Sequence, residues 1–275
     1  MMNITASQVN SLRKKTGAGM MDCKKALVEA EGDEQKAIDI LRKKGQKVAA
    51  KRGDNEASEG LIFAESRGNV GYIIKFNCET DFVAKNEDFQ NFVKSIFKIG
   101  IDNNVNSAED LMALKYDDSL TVSEKITEQI GVIGEKLEIS QFGKIEANFV
   151  EAYNHPGNQL AALVGLNKDG EEAKEAGLQV AMQVAAMNPI SLRKEGIDQD
   201  IIDRELEVGK ELAIQEGKPA ELADKIAQGR LNKFFKENTL LSQEYIKDNK
   251  LSVEKYLNSV EPGLTVTDFK RFSLN

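Results

Sequence analysis

Residues that build disulfide frameworks and zinc sites are scarce in this sequence of 275 residues. It contains two cysteines, Cys23 and Cys78, and one histidine, His155. A structural zinc site normally takes four cysteine or histidine ligands, and small disulfide-bonded folds carry at least four cysteines. We therefore expect neither a zinc site of the usual kinds nor a disulfide framework.

Long hydrophobic runs are also missing. The longest strongly apolar stretch covers residues 160–166, whereas a helix needs about 20 apolar residues to cross a bilayer. The first residues follow a polar helical pattern and show no hydrophobic region of a signal peptide. The sequence thus predicts a cytoplasmic protein that has no membrane partner.

Motifs of nucleotide-binding and hydrolytic enzymes are absent as well. There is no G-x-x-x-x-G-K-[ST] phosphate loop and no G-x-G-x-x-G fingerprint, so no nucleotide cradle is predicted. His155 precedes Pro156 and Gly157 in a turn, with no nucleophile-elbow sequence nearby. A small-molecule enzyme that uses His155 and a carboxylate is therefore the weakest hypothesis, and a structural or interface histidine is favoured.

Charge is unevenly distributed along the chain. The net charge is -8, which argues against direct binding of a nucleic acid duplex. Residues 1–56, however, carry 12 basic and 8 acidic side chains, so the rest of the chain carries 25 basic and 37 acidic ones. A basic module attached to an acidic body suits docking on an acidic protein surface. The alternative is an ordinary solvated helix face.

The first 56 residues have the pattern of three short helices followed by a linker. Thr5 and Gln8 form a capping-box pattern, and the first helix ends near Gly17. Asp33 is placed to cap the third helix, whose apolar spacing continues until Gly45. Residues 46–60 lose this spacing, which predicts a linker. Three-helix modules of this kind resemble ubiquitin-associated domains.

The middle of the chain changes to an α+β pattern that occurs twice. Residues 61–76 read as a β-hairpin, and residues 87–100 as a helix with one broad apolar face. A weaker copy follows, with a strand at 160–167 and a helix at 177–187. We predict a duplicated α+β core, formed by residues 57–145 and by residues 146–188 with 247–275. Chance similarity between short apolar strands is the alternative.

Residues 189–246 are predicted to form a helical-hairpin insertion. The helical pattern over 198–237 is broken at Gly217-Lys218-Pro219, which is turn chemistry. Apolar and small residues repeat at coiled-coil spacing on both sides of the turn, namely Ile202, Leu206, Gly209 and Ala213 before it and Leu222, Ile226 and Gly229 after it. This seam predicts a coiled coil, and a pair of ordinary surface helices is the alternative. The tail, with Phe269 and Phe272, is predicted as a last strand.

The loop after the first predicted hairpin places a bulky apolar pair, Phe82 and Val83, among polar residues. In one interpretation Thr80 or Asp81 caps a helix and Phe82 packs into the core of this protein. In the other, Asp81 and Phe82 form a projecting wedge that enters an apolar pocket of a partner. Composition alone favours the core interpretation.

Two long segments of the sequence resemble the signatures of the bacterial elongation factor Ts family. They are residues 12–27, L-R-K-K-T-G-A-G-M-M-D-C-K-K-A-L, and residues 76–85, F-N-C-E-T-D-F-V-A-K. Shorter matching stretches lie at 133–136, 153–155, 217–219, 229–230 and 269–272. The resemblance covers nearly the whole chain, and it reverses the preference at Phe82 in favour of the wedge.

The resemblance implies a guanine-nucleotide exchange factor for elongation factor Tu rather than an enzyme that breaks bonds. GDP, GTP and Mg²⁺ would then be ligands of the partner, and this chain would hold no cofactor. The implied contacts with the partner involve two groups of residues. Arg13, Met20 and Met21 would dock on its nucleotide domain, and the turn of Thr80, Asp81, Phe82 and Val83 would enter near the magnesium. Ile133, Gly134 and His155 would support the contact.

The resemblance also implies a dimerisation role for the helical hairpin, so a homodimer is a further expectation. Two departures from the family pattern are visible. The chain ends at Asn275, where the pattern continues into a further helix, and we expect the partner contact of that helix to be missing. Asn158 and Gln159 replace a more basic, glycine-rich turn. The rival hypothesis from another class is a helical adaptor that binds an acidic protein without affecting nucleotides.

Overall fold

Three helices form the amino-terminal part of the chain, as predicted. The computed structural model describes residues 4–274, apart from the side chain of residue 220. The helices are α1 (Ala6–Thr16), α2 (Met20–Glu29) and α3 (Glu34–Arg52). Thr5 and Gln8 form the predicted capping box, and the side chain of Asp33 accepts a hydrogen bond from the N–H of Lys36. An apolar cluster that includes Leu12 and Leu27 joins the three helices.

Helix α3 is longer than the sequence predicts, and the predicted linker is wrong over residues 46–52. The helix passes through Gly45 because it crosses α7 (Val122–Ile133) at that residue. A Cβ atom built on Gly131 of α7 would lie only 2.5 Å from the Cα of Gly45. Glycine lowers helix propensity, but here it allows two helix backbones to touch. The tertiary contact therefore overrides the local stop signal.

The first sheet contains three strands in the order β1-β2-β3. Its strands are β1 (Glu59–Arg67), β2 (Val70–Cys78) and β3 (Leu137–Glu146). Between β2 and β3 the chain forms α4 (Asp81–Ala84), α5 (Glu87–Asp102), α6 (Ala108–Ala113) and α7. The predicted apolar face of α5 lies on this sheet, where the rings of Phe89 and Phe92 pack edge-on against Phe76 at centroid distances of 5.7 and 6.0 Å.

The second sheet repeats this plan with the order β4-β5-β8. Its strands are β4 (Phe149–Asn154), β5 (Leu160–Leu166) and β8 (Val266–Ser273), all antiparallel to their neighbours. The register pairs Phe149 with Leu166 and Val164 with Phe269. Helix α8 (Glu171–Met187) follows the central strand, as α5 follows β2. The fold class is therefore α+β, and the tail forms the predicted last strand.

A helical hairpin connects α8 to the last part of the chain. A short 3₁₀ turn (Lys194–Gly196) precedes α9 (Gln199–Gln215) and α10 (Ala220–Asn238), which are followed by β6 (Glu244–Tyr245), β7 (Asp248–Ser252) and α11 (Val253–Val260). The predicted seam is right on α9, where Gly209 and Ala213 are buried. On α10 Ile226 is half-buried, but the seam is wrong at Leu222 and Gly229, which are exposed. Ala223 and Ala227 take their place because small side chains let the helices approach closely.

The described chain divides into two compact units. The first contains the residues up to 63, residues 74–143 and Leu274, and the second contains residues 64–73 and 144–273. The second unit has its own core, in which β5 packs against the buried face of α8. The domain limits given by the sequence stay predictions. Over residues 4–274, no helix is long and apolar enough to cross a membrane.

Candidate partner-binding site

Phe82 lies on a single helical turn, α4, between strand β2 and helix α5. Its side chain is 83 % exposed, whereas Ala84 on the same turn is buried. The hydroxyl of Thr80 caps the turn by accepting a hydrogen bond from the N–H of Val83 at 3.4 Å. Asn86 caps the next helix. The capping half of the core interpretation is thus confirmed, but its placement of Phe82 in the core is wrong.

The backbone that precedes Phe82 is bound by a carboxylate from a distant segment. Glu135 accepts hydrogen bonds from the N–H groups of Glu79 and Thr80 at 3.1 and 3.0 Å and from the Thr80 hydroxyl at 2.6 Å. Glu79 in turn accepts from the N–H of Lys136 at 2.6 Å. The carboxylate of each segment therefore accepts hydrogen bonds from backbone N–H groups of the other segment. We call this arrangement of Glu79 and Glu135 the carboxylate clamp.

Hydrogen-bond donors and one cation around Glu79 favour its ionised form. Arg52 Nη1 and Asn55 Nδ2 donate to Glu79 Oε2 at 2.9 and 3.0 Å. Burial alone would raise the pKa of Glu79, but hydrogen bonds from Lys136 and Asn55 and the charge of Arg52 outweigh burial, so its pKa lies below the ordinary value. The ionised form is thus the one that the fold stabilises. This contribution to stability is present above the unfolded pKa of about 4.3 and is lost as the pH falls through the folded-state pKa.

The thiol of Cys78 lies beneath the same turn. Its Sγ atom donates to the carbonyl oxygen of Thr80 at 3.2 Å. Burial, followed by the charge of Glu135, raises the pKa of Cys78 to about 12. The group is therefore a neutral thiol at physiological pH, and it serves as a hydrogen-bond donor rather than a nucleophile. Cys23 is also buried and free, with its Sγ 3.5 Å from the carbonyl oxygen of Ala18.

Asp81 carries the negative charge of the turn. Lys85 Nζ lies 2.6 Å from its Oδ2. The hydrogen bond to Lys85 is the main reason why the pKa of Asp81 lies below its ordinary value. Asp81 is consequently an ionised, accessible carboxylate beside the exposed ring of Phe82.

A groove with a volume of about 720 Å³ lies next to Phe82 in the first unit. Its lining includes Phe89, Phe92 and Tyr116, and Ile133 contributes from the end of α7. Gly134 ends that helix with a φ of 82°, a left-handed conformation that suits glycine. Of the sequence-predicted residues, the structure thus brings Phe82, Val83 and Ile133 to one groove.

The predicted residues of the amino-terminal module lie at the junction of α1 and α2. Met20 and Met21 begin α2 and are 54 and 62 % exposed, and Arg13 is exposed in the last turn of α1. Large apolar side chains in water are typical of protein interfaces when they occur in groups. Methionine adapts its shape to an irregular surface, which suits this role.

His155 belongs to the second unit, whereas the other predicted site residues belong to the first. It follows β4 in an exposed turn, and its Nδ1 atom lies 2.9 Å from the hydroxyl oxygen of Tyr153. A catalytic triad needs a carboxylate at this position, so the contact does not favour the enzyme hypothesis. Over residues 4–274 there is no group of three His, Cys, Asp or Glu side chains that could hold a metal ion.

Comparison with known proteins gives a match to one family over most of the chain. The family model described as "Elongation factor TS" matches residues 79–275. The chain belongs to the elongation factor Ts family. Curated relatives named "Elongation factor Ts" agree with this. Those from Christiangramia forsetii and Flavobacterium psychrophilum are 54 and 49 % identical over 100 % of both chains. That from Clostridium kluyveri is 45 % identical over 98 % of this chain and 92 % of its own.

Membership of the elongation factor Ts family confirms the resemblance stated from the sequence. It makes the chain a translation elongation factor and does not favour the helical adaptor. The family model covers Phe82, the carboxylate clamp, Ile133 and His155. The amino-terminal residues Arg13, Met20 and Met21 lie outside that model but within the full-length relatives.

Sequence reasoning missed the residues that support the turn in this elongation factor Ts chain. Arg52 and Asn55 lie in the predicted linker, and Glu135 stands out only as part of a stretch that matches the family pattern. No pattern in the sequence pairs Glu135 with Thr80, because 55 positions separate them. The contact between Glu79 and Lys136 is equally hidden, because Lys136 donates through its backbone N–H and not through its charged side chain.

Proposed function

We propose that this chain binds elongation factor Tu in its GDP state and accelerates release of the nucleotide, with Asp81 and Phe82 as the residues that enter the partner. The exposed ring of Phe82 carries this proposal, because the fold holds it in water on a fixed turn. Full burial of such a side chain in a partner's pocket is worth about 1.5 to 3 kcal/mol. Thr80 and Val83 define the geometry of the turn.

The remaining contacts would hold the partner around this wedge. Arg13, Met20 and Met21 offer an exposed cation and two adaptable apolar side chains for its nucleotide domain. In the first unit Ile133 and Gly134 would support the contact beside Phe82, and in the second unit His155 would add another. These roles follow from the family resemblance. Arg13, Met20, Met21 and His155 are exposed, and Ile133 and Gly134 are half-buried.

Exchange in this proposal arises from differential binding alone. The partner holds GDP, GTP and Mg²⁺, and the metal neutralises the phosphates of the bound nucleotide. A wedge that displaces the groups around the metal removes this neutralisation, so the nucleotide leaves faster. No covalent bond is broken by this chain, and it is therefore not an enzyme in that sense. We place its activity in the cytoplasm, where translation occurs.

The proposal predicts that GDP and this chain weaken each other's binding to elongation factor Tu. Coupling between two ligands of one protein is reciprocal, so a factor that lowers GDP affinity must itself be displaced by GDP to the same extent. We expect titration of GDP with Mg²⁺ to dissociate the complex, as measured by gel filtration or fluorescence anisotropy. The titration with Mg²⁺ and adenosine diphosphate is the control and should have no effect.

A complex that withstands saturating GDP and Mg²⁺ would contradict the exchange function. Binding without antagonism is what the helical adaptor hypothesis predicts. The absence of any complex with elongation factor Tu at micromolar concentrations would also contradict the exchange function.

We also propose that the helical hairpin pairs with a second copy of this chain. The observation that favours it is an apolar stripe on α9, where Ile201, Val208 and Leu212 are exposed. These residues are seven and four positions apart, so they share one face of the helix, next to the seam that packs on α10. A second copy would remove this stripe from water.

Replacing Leu212 with glutamate is expected to abolish this self-association and to leave exchange intact. A charge on the stripe cannot be buried in an apolar interface without a large cost. Sedimentation equilibrium should show a concentration-dependent dimer for the unaltered chain and a monomer for Leu212→Glu. A matched change on the same helix, Glu211→Gln, should still dimerise. If the unaltered chain is monomeric at all accessible concentrations, the dimer proposal fails while the exchange proposal stands.

A further inference from the structure

The turn that carries Phe82 is too short to hold its own shape. Helix α4 contains four residues, and one helical turn in isolation is unstable because nucleation costs more than a single hydrogen bond returns. The stabilising contacts must therefore come from elsewhere in the fold. Among the described hydrogen bonds at Glu79 and Thr80, Glu135 accepts three, two from backbone N–H groups and one from the Thr80 hydroxyl.

The carboxylate clamp connects this turn to two further segments. Glu79 accepts hydrogen bonds from the backbone of Lys136, and from Arg52 and Asn55 at the end of α3. Lys136 Nζ also donates to the carbonyl oxygen of Asn55 at 3.1 Å. The residues before Phe82 are thus bound on one side to the end of α3 and on the other to the segment between α7 and β3.

We propose that Glu135 is a positioning residue for Phe82, which holds the turn in the geometry that presents the ring to the partner. This inference rests on the proposed exchange function and assigns the exposed wedge a specific support. Glu135 does not need to touch the partner for this role. Its effect passes through the backbone of Glu79 and Thr80.

The expected effect of removing the Glu135 side chain depends on the fraction of molecules in which the turn presents Phe82 to the partner. Without the three hydrogen bonds that Glu135 accepts, the turn samples other conformations, and only a fraction of molecules presents Phe82 correctly. The apparent affinity for the partner falls by that fraction, whereas the rate of GDP release in the saturated complex is retained. A tenfold loss of affinity corresponds to about 1.4 kcal/mol.

The test measures GDP release from elongation factor Tu at increasing concentrations of each variant. For Glu135→Ala we expect the half-saturating concentration to rise about 10-fold and the saturating rate to stay within about twofold. Glu135→Gln should recover most of the affinity, because its amide oxygen can accept both backbone hydrogen bonds. Glu109→Ala removes an exposed acidic residue of α6 and is the matched control, with no expected change.

A second measurement separates positioning from general loss of stability. Glu135→Ala should increase hydrogen exchange at the amides of Glu79 and Thr80 in the free protein, with the melting temperature little changed. In a protein that already carries Phe82→Ala, the added Glu135→Ala change should have little further effect on GDP release, because the ring that Glu135 positions is gone.

Three results would overturn the inference. They are an unchanged half-saturating concentration for Glu135→Ala, an equal loss in the Phe82→Ala background, and unaltered amide exchange at Glu79 and Thr80. If instead the unaltered chain does not accelerate GDP release at all, the proposed function fails, and faster amide exchange in Glu135→Ala would show that the clamp still holds the turn.

Discussion

Replacing Phe82 with alanine is expected to slow catalysed GDP release about 10-fold or more, while the melting temperature stays nearly unchanged. The ring is 83 % exposed, so its removal leaves no cavity in this protein. The change instead removes apolar contact from the complex with the partner. Each 1.4 kcal/mol of lost interaction energy lowers the affinity by a factor of about ten. The measurements are the rate of labelled GDP release and thermal unfolding by circular dichroism.

The matched control is Phe149→Ala on β4, outside the groove beside Phe82. Phe149 is buried in the core of the second unit, so we expect a loss of about 3 to 5 kcal/mol in stability with normal exchange activity in the folded material. Asp81→Asn should resemble Phe82→Ala but with a weaker effect. A large melting shift with normal exchange for Phe82→Ala would contradict the assignment of the wedge.

Replacing Gly131 with valine is expected to destabilise the first unit by about 3 kcal/mol or more. The new Cβ atom would lie 2.5 Å from the Cα of Gly45, and backbone atoms cannot move aside as a flexible side chain can. Helices α3 and α7 must then separate or shift. Thermal unfolding should show a decrease of roughly 10 °C in the melting temperature.

The matched control for this prediction is Gly229→Val on α10. Gly229 is also helical and exposed, and a Cβ there would meet no atom within 4 Å. Valine and glycine differ little in helix propensity, so we expect a change within about 0.5 kcal/mol. Equal effects at the two glycines would mean that propensity rather than the helix crossing determines the result.

The parts of the fold that could be predicted from the sequence are those with strong local signals. The capping box at Thr5, the β-hairpin over residues 61–76 and the apolar spacing of α5 each depend on residues close in sequence, and all three occur in the structure. The end of α3 could not be predicted, because the local stop signal at Gly45 is outweighed by the contact with α7. On α10 the small side chains of Ala223 and Ala227 occupy the seam in place of Leu222, because the close approach of the two helices leaves no room for a large residue.

Only part of the candidate site could be predicted from the sequence. The unusual pair of Asp81 and Phe82 stood out by composition, yet composition favoured a buried Phe82, and the resemblance to the family corrected this preference. The clamp was not visible because it joins Glu135 to backbone groups of Glu79 and Thr80. Backbone donors are the same at every residue, so no choice of side chain at those positions marks the contact.

The central claim is that this chain accelerates nucleotide release from elongation factor Tu, and stopped-flow measurement of fluorescent GDP release tests it most directly. The partner is loaded with the labelled nucleotide and Mg²⁺ and mixed with excess unlabelled GDP, with and without the chain. We predict that the release rate rises with the concentration of the chain and reaches a plateau, and that Phe82→Ala gives a much smaller rise. A release rate that does not depend on the concentration of the chain, under conditions where the two proteins bind, would contradict the account.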